Sequence, residues 1–306
     1  MIRNFLFHRV NPQRDMMWDP MEVQQFEKCI KYISKKYEVV LLEDMIASGN
    51  YLHKKNYATI LFDDGYKDNI EFAAPILDKY KCKASFYIVT NCIDNNVPTW
   101  THILEHTFQH TQIKDINFQF EFLPESLKVT SLSTQQQRVD YINKLKPFAK
   151  TITHEQRQEI LVAVQQQFTD VELPALMMNW DDIRQLKNAG HYIGSHTVNH
   201  HMLGTMSNID EISYELTASG NAIKEKLGYF PVSISYPVGS YNKTTIELSK
   251  KAGYSMGLAV KQTTFNPQKD GLFEIPRIEL YNESWLKTRL RISNLLEEVK
   301  TIIHYR

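Results

Sequence analysis

Short apolar runs alternate with amphipathic stretches along most of this 306-residue chain, and that alternation restricts the fold more than any other feature. Runs at 2–7, 39–42, 58–62, 84–89, 192–194, 232–236, 254–260 and 273–278 read as strands. Stretches at 19–36, 69–80, 180–189, 210–227 and 243–252 read as helices, and a further helix follows the last strand. In the first of these, Pro20 takes the first helical position, where a missing N–H costs nothing. Phe26, Ile30 and Ile33 then supply an apolar face at helical spacing. Strand and helix in regular succession mean parallel strands joined by crossover helices, an α/β fold.

One segment breaks the rhythm. Residues 91–178 contain no glycine and hold 11 of the chain's 17 glutamines. Ile160, Leu161, Val164 and Phe168 recur with helical period, so the segment reads as a mostly helical insertion packed on the main fold. A disordered linker is the alternative, against which the regular apolar residues speak.

Composition removes several function classes. Lys and Arg number 35 and Asp and Glu 35, so no net field draws the chain to nucleic acid or to an anionic membrane. Three cysteines (Cys29, Cys82, Cys92) form no Cys-x-x-Cys pair, so neither a disulfide framework nor a thiolate zinc site is expected. So few cysteines fit a reducing compartment. The N-terminus lacks an apolar core followed by a small-residue cleavage site, and no apolar run is long enough to span a bilayer. A cytoplasmic protein is the expectation.

Three fragments carry chemistry. In Ile60-Leu61-Phe62-Asp63-Asp64-Gly65, two adjacent carboxylates stand where a strand ends, the end at which α/β folds place their sites. Like charges side by side ask for a cation; a solvated Asp-Gly turn is the plain alternative. In His196-Thr197-Val198-Asn199-His200, two histidines four apart on a helical turn or helix-like loop would point to one side, as metal ligands do. His201 lies off that face. One carboxylate and two histidines suit a divalent metal with open positions for water and substrate. A free carboxylate beside them completes the layout of metal-assisted hydrolysis, in which the ion activates water and polarises a carbonyl while the carboxylate takes the proton. Iron oxygenases share this ligand set but not the alternating strand–helix pattern. In Ser235-Tyr236-Pro237-Val238-Gly239, a strand runs into a turn whose backbone N–H groups could face a developing oxyanion, Val238 among them.

These fragments, in this order, resemble the motifs of the polysaccharide deacetylases of carbohydrate esterase family four, the NodB-like deacetylases. The resemblance runs along most of the chain outside the insertion. It implies a distorted (β/α) barrel of about seven parallel strands, taken here as one domain over 1–306 interrupted at about 91–178. It also implies hydrolysis of N-acetyl groups on amino sugars, with Asp63 as base and Asp64, His196 and His200 on the metal. Zinc is the first choice of ion, with cobalt, nickel and iron as alternatives. The family's third motif, Arg-x-Pro-Tyr, is replaced here by Ser235-Tyr236-Pro237-Val238. The Tyr-Pro-x-Gly form occurs in a subgroup that carries a later Leu/Ile-Pro-Arg-Ile segment, and Ile275-Pro276-Arg277-Ile278 matches it. Arg277 is thus the candidate for the missing cation, a surface ion pair being the alternative. Tyr236 and Pro237 are candidate substrate contacts. The family's late acid histidine has no clear match: His304 lies too near the end, and His8, at the end of the first strand, is the candidate that remains for acid or substrate contact.

The expected function is metal-dependent deacetylation of an acetylated sugar, a nucleotide-linked sugar or a glycan, with the insertion shaping or covering the pocket. A non-catalytic carbohydrate-binding protein on the same scaffold is the alternative, against which the retention of Asp63 argues.

Overall fold

A computed structural model of the chain describes residues 1–49 and 56–295. Its elements run in the order β1 (Ile2–Phe7), α1 (Val23–Lys36), β2 (Glu38–Val39), α2 (Leu42–Ser48), β3 (Tyr57–Phe62), α3 (Ala74–Lys79), β4 (Ser85–Ile88), α4 (Thr90–Asn95) and α5 (Trp100–His110). Next come β5 (Asp115–Asn117), α6 (Glu125–Lys128), β6 (Val129–Ser131), α7 (Gln135–Ala149), α8 (His154–Gln167), α9 (Trp180–Asn188) and β7 (Tyr192–Ser195). The chain closes with α10 (Ile209–Leu227), β8 (Ser233–Ser235), α11 (Lys243–Ala252), β9 (Met256–Leu258), β10 (Ile278–Glu279) and α12 (Trp285–Ile292).

Seven strands lie side by side in the order β10-β1-β3-β4-β7-β8-β9, every pair parallel, with β2 added on β3. The two ends of this sheet are joined by the segment that leads into β10: Ile275 bridges to Leu258 of β9, and Ile278 pairs with Phe5 of β1. The result is the distorted α/β barrel that the alternation and the family resemblance imply. β3 lies between β1 and β4 and is buried along its whole length. Phe7, Phe62 and Phe86 stack across β1, β3 and β4 and pack with Phe26 of α1. The three cysteines are buried and unpaired.

Several boundaries differ from the sequence reading. The helix expected from residue 19 begins at Val23, because Met21 is held extended by backbone hydrogen bonds with Arg9 and Asn11. Pro20 therefore lies ahead of the helix. The strand expected at 39–42 is only Glu38–Val39, and Leu42 already opens a helix. The helix expected at 69–80 starts with a wide π turn at Asn69–Ala73, where Pro75 has no N–H to continue the regular ladder. The last strand, expected at 273–278, is Ile278–Glu279; Pro276 cannot donate, so the approach to it makes only the bridge at Ile275.

The insertion is folded, with a core of its own. Leu104 and Phe108 of α5, Tyr141 and Leu145 of α7, and Ile160 and Val164 of α8 pack together, with Phe168 closing the end. It is mostly helical, as expected, but also holds a small antiparallel pair, β5 with β6. Both α7 and α8 open on capping boxes, Thr134 with Gln137 and Thr153 with Gln156. The insertion is stitched to the barrel at both ends. At its start, the N–H groups of Thr90 and Asn91 donate to the carbonyls of Thr197 and Val198; at its end, Met178 N–H donates to the Gly65 carbonyl. It therefore leaves and rejoins the barrel beside the two loops that carry the candidate ligands.

Candidate active site

Asp63 and Asp64 follow directly on β3 and are both buried. Asp64 adopts a left-handed backbone (φ 75°), and both carboxylates approach His196 Nε2, Asp63 Oδ2 at 3.8 Å and Asp64 Oδ1 at 3.4 Å. Gly65 follows with φ 90°, and a Cβ there would come within 3.3 Å of both Ile93 and Ile88, so this turn needs glycine.

Arg277 is fully buried. Its Nη1 donates to both carboxylate oxygens of Asp63, at 2.8 and 2.9 Å, while Nε donates to the Ala259 carbonyl at 3.0 Å. This is no surface ion pair, since both side chains are buried. Ser235 Oγ donates to Asp63 Oδ2 at 3.0 Å. Burial alone would raise the Asp63 carboxyl, but Arg277, His196 and His8 outweigh it and hold the group below the usual carboxylate range.

The two histidines do not stand on a helix. They lie on the loop after β7, and left-handed backbones at Thr197 (φ 69°) and His200 (φ 60°) fold that loop so that both rings meet Asp64. His196 Nε2 and His200 Nε2 lie 3.4 and 3.3 Å from Asp64 Oδ1. His196 Nδ1 contacts the Ser235 carbonyl at 2.8 Å, an acceptor only, so this nitrogen carries the proton and Nε2 is left as a ligand. The loop is held from beneath by Glu215 of α10, whose carboxylate accepts from the N–H groups of Val198 and Asn199 and from the Asn199 amide. Trp100 Nε1, from the insertion, donates to the His200 carbonyl. His201 turns away to Glu215, at 3.3 Å.

Asp64, His196 and His200 offer one ligand atom each, all within 4.8 Å of one another, the one such cluster among the described residues. Asp64 Oδ1 is buried without a hydrogen bond, as the oxygen of a metal ligand would be. Burial lowers the basicity of His196, yet Asp63 and Asp64 together raise it above the usual value, whereas burial holds His200 below it despite Asp64. Donor set, burial and electrostatics thus fit a divalent cation.

The cluster opens into a cavity of about 250 Å3. His8 and Glu279 stand on its rim at the ends of β1 and β10, His8 Nδ1 lying 3.4 Å from Glu279 Oε1. Val238 also lines it, in a turn with left-handed backbone (φ 57°). Its N–H belongs to the opening of a short 3-10 turn, where donors have no partner within the turn. Tyr236 and Pro237, the expected substrate contacts, do not line this cavity. Tyr236 is fully buried, its ring stacked on Tyr241 with centroids 4.9 Å apart and its hydroxyl directed at Gly257, because the residue after Ser235 points to the opposite side of the strand. His304 lies outside the described residues.

Sequence reasoning missed Ser235, Glu215 and Trp18, the last of which also lines the cavity. Glu215 had a usable signal: it stands on the apolar stripe of α10 with Ile212, Leu216, Ser219 and Ile223, where a carboxylate must have a partner. Trp18 had none, being placed by an irregular loop. The insertion adds Thr101 and Glu105 of α5, Lys146 of α7 and Lys150 just beyond it, and so forms a wall of the cavity, as expected.

A family model described as polysaccharide deacetylase matches residues 51–257. Solved structures share the fold at low identity. A Streptococcus pyogenes deacetylase, PplD in complex with acetate, is 17% identical with a TM-score of 0.63, over 95% of this chain and 97% of its own. A de-N-acetylase from Aggregatibacter actinomycetemcomitans is 16% identical with a TM-score of 0.61, over 95% and 99% of the two chains. IcaB from Ammonifex degensii is 15% identical with a TM-score of 0.61, over 95% and 96%. No curated protein matches this sequence.

If a divalent ion is held here, replacing Asp64, His196 or His200 by Ala should each remove most of it, since each would supply one of three protein ligands. Elemental analysis of the purified variants checks this; full occupancy in His200→Ala would overturn the assignment.

Proposed function

We propose that this chain, which belongs to the polysaccharide deacetylase family, removes N-acetyl groups from an acetylated sugar or glycan with a divalent metal held by Asp64, His196 and His200. The observation that carries the reading is the buried Asp63 carboxylate, clamped by Arg277 and Ser235 beside the three-residue cluster. A protein that only binds carbohydrate gains nothing from holding a second charged carboxylate there at the cost of burying it.

When bound, the metal supplies Lewis acidity to the acetyl carbonyl and to the attacking water. Asp63 accepts the proton of that water as the new C–O bond forms. Its charge state is kept by Arg277, and its orientation by the two hydrogen bonds from Arg277 Nη1 and the one from Ser235 Oγ. The Val238 N–H supplies a donor for the oxygen on which charge develops. His8, backed by Glu279, gives its proton to the sugar nitrogen as the C–N bond breaks, leaving acetate and a free amine. Zinc suits two imidazoles and one carboxylate well, and cobalt, nickel or iron would also be accommodated. Three unpaired, buried thiols support a reducing compartment such as the cytoplasm as the place of action.

The test is acetate release from a panel of N-acetylated sugars with metal added. Asp63→Asn should keep the metal and lose about 10²–10⁴-fold in kcat, the usual worth of a general base. Wild-type turnover in that variant would make Asp63 a structural residue.

Arg277→Met should lower kcat by far more than it raises KM, because the guanidinium acts on Asp63 and not on the sugar. Arg277→Lys, which keeps the charge but not the planar fork, should recover part of the loss. Steady-state kinetics of the two variants measures this, and equal kcat in Arg277→Met and wild type contradicts it.

His8→Ala should lose the basic limb of the pH–rate profile, which reports loss of the acid's proton. The variant should be less impaired on acetate esters of phenols, whose leaving groups need no protonation. Equal impairment on amide and ester would assign His8 to substrate binding.

A further inference from the structure

The cavity that holds the candidate ligands is also lined by four charged side chains that hydrolysis does not need: Glu105, Lys146, Lys150 and Glu279. Three of them are engaged. Glu105 is buried and paired with Lys146. Glu279 pairs with His8 and accepts a hydrogen bond of 2.6 Å from the Tyr281 hydroxyl. Lys150 makes no side-chain hydrogen bond and no ion pair among the described residues. It stands one helical turn beyond Lys146, on the same face at the end of α7.

A lysine at a helix C-terminus is often explained by the helix dipole and the last orphan carbonyls alone. Such a lysine extends into water, where its charge is best solvated. Lys150 instead lines the cavity, and its ammonium is drawn below the usual lysine range by burial, with Lys146 adding to the effect. A half-buried cation kept beside a second cation, its nearest carboxylates already engaged, is costly unless an anion meets it during the working cycle. The ligand cluster and Asp63 lie across the same cavity, so that anion would belong to a molecule whose acetamide is at the reacting centre.

We propose that Lys150, with Lys146 beside it, receives a phosphate or carboxylate group carried by the acetylated sugar, so that the preferred substrate is an anionic amino sugar. This rests on the deacetylase reading above and adds the chemical class of the substituent. The specificity sits on the insertion, which supplies both lysines, while the chemistry sits on the barrel.

The experiment uses the full chain loaded with metal and four substrates: N-acetylglucosamine, its 1-phosphate, a uridine diphosphate-linked N-acetylglucosamine and N-acetylmuramic acid, which bears a carboxylate. For wild type, kcat/KM should be at least about tenfold higher on one or more of the charged sugars than on the neutral one, the scale of one charge-assisted contact. That ratio should collapse toward one in Lys150→Met, be retained in Lys150→Arg, and fall with added salt. Which charged sugar is preferred separates monophosphate, pyrophosphate and carboxylate sources. Direct binding of the same sugars, by calorimetry, is measured alongside. Deacetylation of the neutral sugar at the rate of the charged ones, unaltered in ratio by Lys150→Met, overturns this inference and leaves the deacetylase reading intact. Binding of a charged sugar that depends on Lys150, without hydrolysis, upholds the anion site and counts against the deacetylase reading. Absence of binding by every charged sugar overturns the anion site.

Discussion

Two carboxylates, adjacent in the chain and both out of water, set the terms for everything around them. Burying one ionised carboxylate costs several kcal/mol unless a cation and hydrogen bonds meet it, and Asp63 and Asp64 ask for that twice within one turn. Different partners meet their demands. Asp63 is answered by Arg277, and Asp64 by two imidazoles and the ion they would share. Removing Arg277 would leave a buried, unpaired charge, the kind of loss that typically costs about 3–5 kcal/mol. The pair is therefore part of what closes the barrel: Arg277 arrives on the short segment that bridges β9 to β1.

The remaining elements position these groups. Ser235, at the end of β8, serves both halves of the site, its hydroxyl holding Asp63 and its carbonyl fixing the proton on His196. Glu215, from α10 behind the sheet, takes up the N–H groups of the histidine loop that no strand or helix can satisfy. The insertion adds Trp100 to the same loop and the outer wall to the cavity. Its two ends are bonded to the loops that carry His196 and Asp64, and its Lys146 and Lys150 line the same cavity.

Much of this was legible in the residues. The strand–helix alternation announces parallel strands because each crossover helix carries the chain back to the end at which the previous strand began. Asp63, Asp64, His196 and His200 are readable because strand ends and short spacings bring chemistry together locally. The substitute cation at Arg277 is readable only with the family resemblance, since 214 residues of chain separate it from Asp63. Boundaries were less legible. Met21 reads as helix by its neighbours, but a backbone pairing with Arg9 and Asn11 holds it extended. Tyr236 reads as a contact because it adjoins the motif, yet alternation along the strand turns its ring into the core.

The sequence by itself determined the α/β class and which residues are candidates for holding a metal and for accepting a proton, because those depend on strand–helix periodicity and on which side chains can ligate or accept a proton. Only the tertiary structure decided that Arg277 meets Asp63 in the interior and not in a surface ion pair, which groups hold the histidine loop, and which charges of the insertion line the cavity. Those are contacts between residues far apart in the chain, and their energies arise when burial removes water from charges that in the unfolded chain are separately solvated.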